Sequence, residues 1–247
     1  MSVDIRGLQK TTLLDYPDKV ACTVFLSGCN FRCPFCYNRD LVLAPEKLPE
    51  ISEDYFFAFL DKRKDVLDAV VVCGGEPTLY PELPGFVRAI KDTGFLVKLD
   101  TNGTRPEKVE FLLEEGLVDF VGMDIKARLQ DQAYSDVVGL EDFAEQVGLE
   151  RITNTLALLI NSDVDFELRT TVVPGLHDKG VLLAIARDLK KFFSSTEVRK
   201  IPWVIQKFEP RDCIDPAFND REPYPRTTLR KFLKAVQKII PEAKLRA

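Results

Sequence analysis

Residues 20–36 read VACTVFLSGCNFRCPFC, an apolar run followed at once by a loop carrying Cys29, Cys33 and Cys36. The run over 20–26 is short, rich in Val, Thr and Phe, and continuous rather than alternating, the pattern of a strand covered on both faces. Five later runs share that character: 69–73 (AVVVC), 95–100 (FLVKLD), 118–125 (VDFVGMDI), 166–173 (FELRTTVV) and 203–208 (WVIQKF). Amphipathic helical patterns lie between them, near 52–67, 81–93, 106–115, 140–159 and 178–193, with a last one near 227–240. Ser52, placed ahead of Asp54 and the apolar Phe56, Phe57 and Leu60, reads as the cap of the first.

Strands separated by helical crossovers imply a parallel sheet. Six such units fall short of the eight of a closed barrel. The expected fold is therefore α/β, a partial (β/α)6 barrel drawn as a six-strand arc closed by loops. No Ser/Gly-rich linker or repeat divides the chain, so a single domain over 1–247 is expected, with its core at about 18–209 and a C-terminal loop and helix over 210–247. Prolines 202, 210, 216, 223 and 225 mark the last strand and the irregular loop after it.

Composition narrows the function. In 247 residues, 34 Lys and Arg stand against 39 Asp and Glu, a net charge of −5, which argues against a nucleic-acid binder held by bulk charge. No apolar run is long enough for a membrane span, and no basic-then-apolar leader follows Met1, so a cytoplasmic protein is expected. One histidine, His177, argues against His-rich zinc or di-iron sites. The six cysteines stand at 22, 29, 33, 36, 73 and 213, three of them within eight residues. Clustered thiols in a chain long enough to bury a core point to metal or redox chemistry rather than a disulfide framework.

The Cys-x3-Cys-x2-Cys spacing of Cys29, Cys33 and Cys36 lets three soft thiolates point inward from one compact loop, which suits zinc or an iron–sulfur cluster. Structural zinc wants a fourth ligand from elsewhere. A 4Fe-4S cube held by three cysteines leaves one iron open, and the spacing leans that way. After the second strand run comes Cys73-Gly74-Gly75-Glu76-Pro77-Thr78, where two glycines let the backbone approach a ligand and a carboxylate can accept from an ammonium. Further candidates end later strands: Asp100 and Asn102, then Asp124 and Lys126, then Arg169 ahead of Val172-Val-Pro174-Gly175, then Gln206 with Phe208. Asp124 and Lys126 lie two apart and would share a face, either as an ion pair or with the lysine turned to a ligand carboxylate. Cys22 and Trp203 read as core, Cys73 as packing, Cys213 as a lone thiol in the late loop and His177 as a surface loop residue.

On the three-Cys loop, with Phe35 before its last cysteine, and on Gly74-Gly-Glu-Pro77, the sequence resembles the radical S-adenosylmethionine (SAM) superfamily. The resemblance implies a 4Fe-4S cluster on Cys29, Cys33 and Cys36, with SAM on the fourth iron. One-electron reduction of SAM would then yield methionine and a 5′-deoxyadenosyl radical. It further implies that Gly74, Gly75, Glu76 and Pro77 bind the SAM amino group, and that Lys126 and Arg169 meet its carboxylate or ribose. Asp100, Asn102, Asp124 and Gln206 would complete the cofactor site, with no separate catalytic residue. Asp124-Ile-Lys126 and Arg169–Gly175 are similar to the glycyl-radical activating enzymes of that superfamily, and Gln9–Lys19, Phe25–Cys29 and Tyr37-Asn38 to the activating proteins of anaerobic ribonucleoside-triphosphate reductase among them. That likeness implies a glycyl-radical protein as substrate and flavodoxin or ferredoxin as electron donor, with neither nucleic acid nor membrane as partner. Two alternatives stand beside it: a small-molecule enzyme like the 7-carboxy-7-deazaguanine synthases, or a zinc-held interaction module.

Overall fold

Chain order and strand order coincide in this protein, because each continuous apolar run becomes a strand laid beside the one before it. The computed structural model describes residues 2–194 and 200–247. Its elements run β1 (Ile5–Thr12), β2 (Ala21–Leu26), α1 (Arg39–Leu43), α2 (Glu53–Asp61), β3 (Ala69–Gly74), α3 (Leu83–Asp92), β4 (Leu96–Thr101), α4 (Pro106–Glu114) and β5 (Phe120–Asp124). They continue with α5 (Asp131–Val138), α6 (Phe143–Gln146), α7 (Leu149–Asn161), β6 (Asp165–Val172), α8 (Lys179–Phe193), β7 (Trp203–Lys207), α9 (Arg226–Val236) and β8 (Lys244–Arg246). Strand order follows the chain from β1 to β8. No described helix is long and apolar enough to cross a membrane.

The chain divides into two compact units. One holds Met1–Asn30, Asn38–Gly122 and Ser162–Asp165; the other holds Phe31–Tyr37, Met123–Asn161 and Phe166–Ala247. In the first, β2, β3 and β4 pair in parallel, with Thr23 opposite Val71 and Val71 opposite Lys98. Val70, Val72, Val97 and Leu99 are fully buried, which is why these strands read as unbroken apolar runs. On the alternate face, Tyr16, Ala21, Ala69 and Val71 form an apolar cluster joined by Cys73, Leu96 and Phe120. Lys98 is buried on β4, 3.1 Å from Asp100, and its ammonium also donates to the carbonyl of Asp15. In the second unit β6, β7 and β8 pair in parallel, with Thr171 opposite Gln206. Trp203 is wholly buried there, its indole N–H donating to Thr170.

Two strands go beyond the six expected. β1 pairs antiparallel to β2 with two register shifts, and its middle is largely exposed. β8 is three residues long beside β7. Neither carries a buried apolar run, the only signal that marked the others. The helix expected over 140–159 is two, α6 and α7, separated at Gly148, whose φ of +76° is left-handed and ends the first. α5 carries no expectation from the sequence. Ser52 caps α2 as expected, its hydroxyl accepting from the Tyr55 N–H at 3.2 Å, although that helix ends at Asp61 rather than near 67. The late proline-rich loop contains a single helical turn, Pro216–Phe218, ahead of α9.

Candidate active site

Each unit carries its own group of candidate residues, at the C-terminal ends of its strands. In the first, Gly74 closes β3 and Gly75 follows it. A Cβ on Gly74 would lie 2.1 Å from the carbonyl oxygen of Leu26, and one on Gly75 would lie 1.8 Å from that of Gly28. The space beside the pair is taken by the chain's own backbone after β2, which is fastened there by Gly75 N–H to Leu26 O at 2.9 Å and Glu76 N–H to Gly28 O at 2.8 Å. Glycine is therefore required by the meeting of two loops, before any ligand is considered.

Glu76 is fully buried. Its Oε1 accepts from the Thr78 N–H at 3.1 Å, from the Thr78 hydroxyl and from the Thr101 hydroxyl at 2.7 Å, and its Oε2 accepts from the Asn102 N–H at 2.6 Å. Burial pushes its pKa up, against the pull of these four donors. Pro77 opens a single helical turn that presents Thr78 back to the carboxylate. Asn102 donates through Nδ2 to Asn30 at 2.9 Å, and its oxygen accepts from the N–H and hydroxyl of Thr104. Asn30 in turn donates to the Thr104 hydroxyl. The side chain following Cys29 is thus tied to the loop after β4. Asp100 lies apart from this network, paired with Lys98.

In the second unit Asp124 ends β5 and bridges two cations. Lys126 Nζ donates to Oδ2 at 2.9 Å, and the Arg169 guanidinium on β6 meets Oδ1 at 3.0 Å. These three, with Phe35 and Thr171, line one pocket. Burial alone would raise the Asp124 pKa, but Lys126 and Arg169 outweigh it and hold the carboxyl below the usual 3.8. Burial would lower that of Lys126; Asp124 and the cysteines 33 and 36 carry it well above the ordinary lysine range. Two cations on one carboxylate leave a net positive pocket, fitted to an anionic group such as a carboxylate.

The backbone of Lys126 is held on both sides. Its N–H donates to the Tyr134 hydroxyl at 3.3 Å. Its carbonyl is 2.8 Å from His177 Nε2, while His177 Nδ1 accepts from the Val173 N–H at 3.2 Å. Because the Val173 amide can only donate, Nδ1 is the acceptor and Nε2–H donates to Lys126. An Nδ1 that accepts carries no proton, so this hydrogen bond holds the ring in its neutral form, and burial pushes the His177 pKa down in the same sense. The expectation of a surface loop histidine is corrected: His177 is 1% exposed and bridges two strand ends.

None of the six cysteines is joined in a disulfide. Cys29 belongs to the first unit, and Cys33 and Cys36 to the second. Cys22 lies wholly buried in β2, and desolvation pushes its thiol up to about 12. Cys213 is buried with its thiol 3.6 Å from the Phe35 carbonyl. Gln206 is half-buried on β7 beside Thr171, and Phe208 is buried after it. Asn30 carried no signal in the sequence, since its partners Thr104 and Asn102 lie 74 and 72 residues along the chain, and neither did Tyr134 or Thr171; Thr78 and Thr104, each two residues from a partner, were within reach of local reading.

The radical SAM superfamily profile matches residues 23–186. A chain of Methanocaldococcus jannaschii, named provisionally as a glycyl-radical enzyme activating enzyme, is 33% identical over 251 residues, 100% of this chain and 97% of that one. The pyruvate formate-lyase 1-activating enzyme of Escherichia coli K12 is 29% identical over 161 residues, 62% of this chain and 61% of that enzyme. Among solved structures, SuiB of Streptococcus suis superposes with a TM-score of 0.64 at 14% identity, covering 89% of this chain. This chain spans 47% of SuiB, and the likeness shows the fold, the expected partial barrel.

Three substitutions test this geometry. Gly75→Ala should lose at least about 3 kcal/mol in denaturant unfolding, because the obstructing atoms are backbone. Gly85→Ala in α3, where a Cβ meets nothing within 4 Å, should gain about 0.5–1 kcal/mol in the same assay. Asp124→Asn should cost about 1–2 kcal/mol at pH 7, a buried-pair loss discounted because the Asp124 side chain is 31% exposed. The folded pKa lies below 3.8, so the wild-type contribution is complete above about pH 5 and is lost as pH falls through that lowered value. The melting-temperature gap between the two proteins should therefore narrow from pH 7 to pH 3.

Proposed function

The chain belongs to the radical SAM superfamily, and we propose from that premise that it is an activating enzyme that installs a glycyl radical on a partner protein, an anaerobic ribonucleotide reductase. It is a radical SAM enzyme, a family that uses a 4Fe-4S cluster and SAM. When bound, the cluster supplies one electron and SAM the carbon-centred radical that abstracts hydrogen. Cys29, Cys33 and Cys36 hold the cluster in this reading, and the whole chain works as one domain with its core over about 18–209. Flavodoxin or ferredoxin delivers the electron.

The observation that carries the reading is the pocket of Asp124, Lys126 and Arg169, which is also lined by Phe35, between Cys33 and Cys36 in sequence. Its positive balance suits the carboxylate of an amino-acid ligand, which Lys126 and Arg169 would orient by paired charge. Asp124 pairs with both cations, and His177 and Tyr134 hold the Lys126 backbone at its carbonyl and its N–H. The Gly74–Pro77 loop and Asn102 would serve the ligand's amino end. Full-length likeness to a provisional activating enzyme supports a protein substrate.

Anaerobic reconstitution with iron and sulfide, then dithionite and SAM, tests the chemistry. About four irons per chain, a reduced-cluster paramagnetic signal shifted by SAM, and 5′-deoxyadenosine are expected. Zinc alone with no nucleoside would overturn the reading. Cys33→Ala should lose both iron and nucleoside, whereas Cys22→Ala, whose thiol is buried and protonated, should keep both. A doublet radical signal on added anaerobic reductase, dependent on SAM, would identify the target.

A further inference from the structure

The loop after β7 meets the cysteine loop along its backbone. Ile214 N–H donates to Cys36 O at 3.1 Å, Asp215 N–H donates to Pro34 O at 2.9 Å, and the Cys213 thiol lies 3.6 Å from Phe35 O. Three successive residues therefore engage the three successive carbonyls of 34–36, and one of those carbonyls belongs to a candidate ligand. The loop is braced from within: the Cys213 N–H donates to Asn219 Oδ1 at 2.7 Å, and Asp215 caps the turn at Ala217 at 2.9 Å. Asp212 enters it at a φ of +43°, a left-handed conformation that Asp tolerates better than most residues.

Its far end is fastened as well. The Phe218 ring lies 6.5 Å from that of Phe35, between Cys33 and Cys36 in sequence, and the Arg221 guanidinium lies 3.7 Å over the Phe218 ring. Arg221 also donates to the Pro174 carbonyl at 2.8 Å, in space that a Cβ on Gly175 would invade at 2.4 Å. His177 meets Phe35 edge-on from the same turn after β6, at 6.5 Å.

We propose that residues 213–221 are a positioning strap for the cluster loop, holding the backbone of 34–36 so that Cys33 and Cys36 are placed before iron arrives. This rests on the reading of those cysteines as cluster ligands. Thiolate positions in a short loop follow from its backbone angles, and ordering that backbone in advance removes an entropic cost from cluster binding. Phe218 acts on the loop through Phe35, and Arg221 through Phe218 and Pro174.

Arg221→Ala and Phe218→Ala test the strap. In the apo chain, hydrogen exchange at the Ile214 and Asp215 amides should accelerate about tenfold in both. In the reconstituted protein, iron loss to a ferrous chelator should be about tenfold faster, the scale of losing an outer support of metal ligands. Arg221→Lys, which keeps a cation and a donor, should recover part of both effects and stands in if Phe218→Ala fails to fold. Wild-type iron retention in Arg221→Ala, despite lost amide protection, would overturn the strap. A wild-type chain that takes up no iron would overturn the cluster reading beneath it, whatever the variants do.

Discussion

A carboxylate shut away from water must take its hydrogen bonds from the protein, and Glu76 takes four. Two come from Thr78 in its own turn, and two from Thr101 and Asn102 at the end of β4. Through Asn102 the network reaches Asn30, next to Cys29. Three loops of this unit are thereby fixed against one another by a single side chain. An apolar substitute would leave the Asn102 N–H and the threonine hydroxyls without acceptors, each such loss costing about 1–3 kcal/mol. The Gly-Gly pair belongs to the same constraint, because only without Cβ atoms can the backbone of β3 come near enough to Gly28 for Glu76 to sit where it does.

The second unit solves a different problem, how to keep two cations pointed at a pocket. Asp124 balances them with one oxygen for each, so neither lysine nor arginine is buried against a neutral wall. Lys126 is then immobilised at its backbone by two groups that do no chemistry, the Tyr134 hydroxyl and a neutral imidazole. A charge set in place before a ligand binds needs no rearrangement at the moment of binding, and that is the advantage of holding a flexible lysine at three points.

The six buried strands were legible because a strand covered on both faces loses the apolar–polar alternation of a half-exposed one, most plainly in VACTVFL and AVVVC. β1 and β8 were not, since a partly exposed edge strand has no such signature. Asp124 and Lys126 were legible as a pair through their spacing, and Glu76 was singled out by its motif. What the motif could not convey is that the Glu76 carboxylate also accepts from donors 25 and 26 residues away. His177 went wrong for the same reason. Nothing in Pro-Gly-Leu-His announces a carbonyl 51 residues back in the chain, and without that partner a loop histidine reads as solvated.

The cysteine loop shows where local reading must stop. Its spacing settles which sulfur atoms can converge on one ion or cluster, and on that ground alone zinc and iron–sulfur stay in competition. The direction those sulfurs take depends on the backbone between them, and that backbone is held from afar. Arg32 N–H donates to the carbonyl of Val138, at the end of α5, while the carbonyls of 34–36 meet residues 213–215. Both anchors lie more than a hundred residues downstream in sequence. A coordination site on such a loop would be a property of the folded chain rather than of an eight-residue motif, and excising the motif should weaken its hold on metal as well as its geometry.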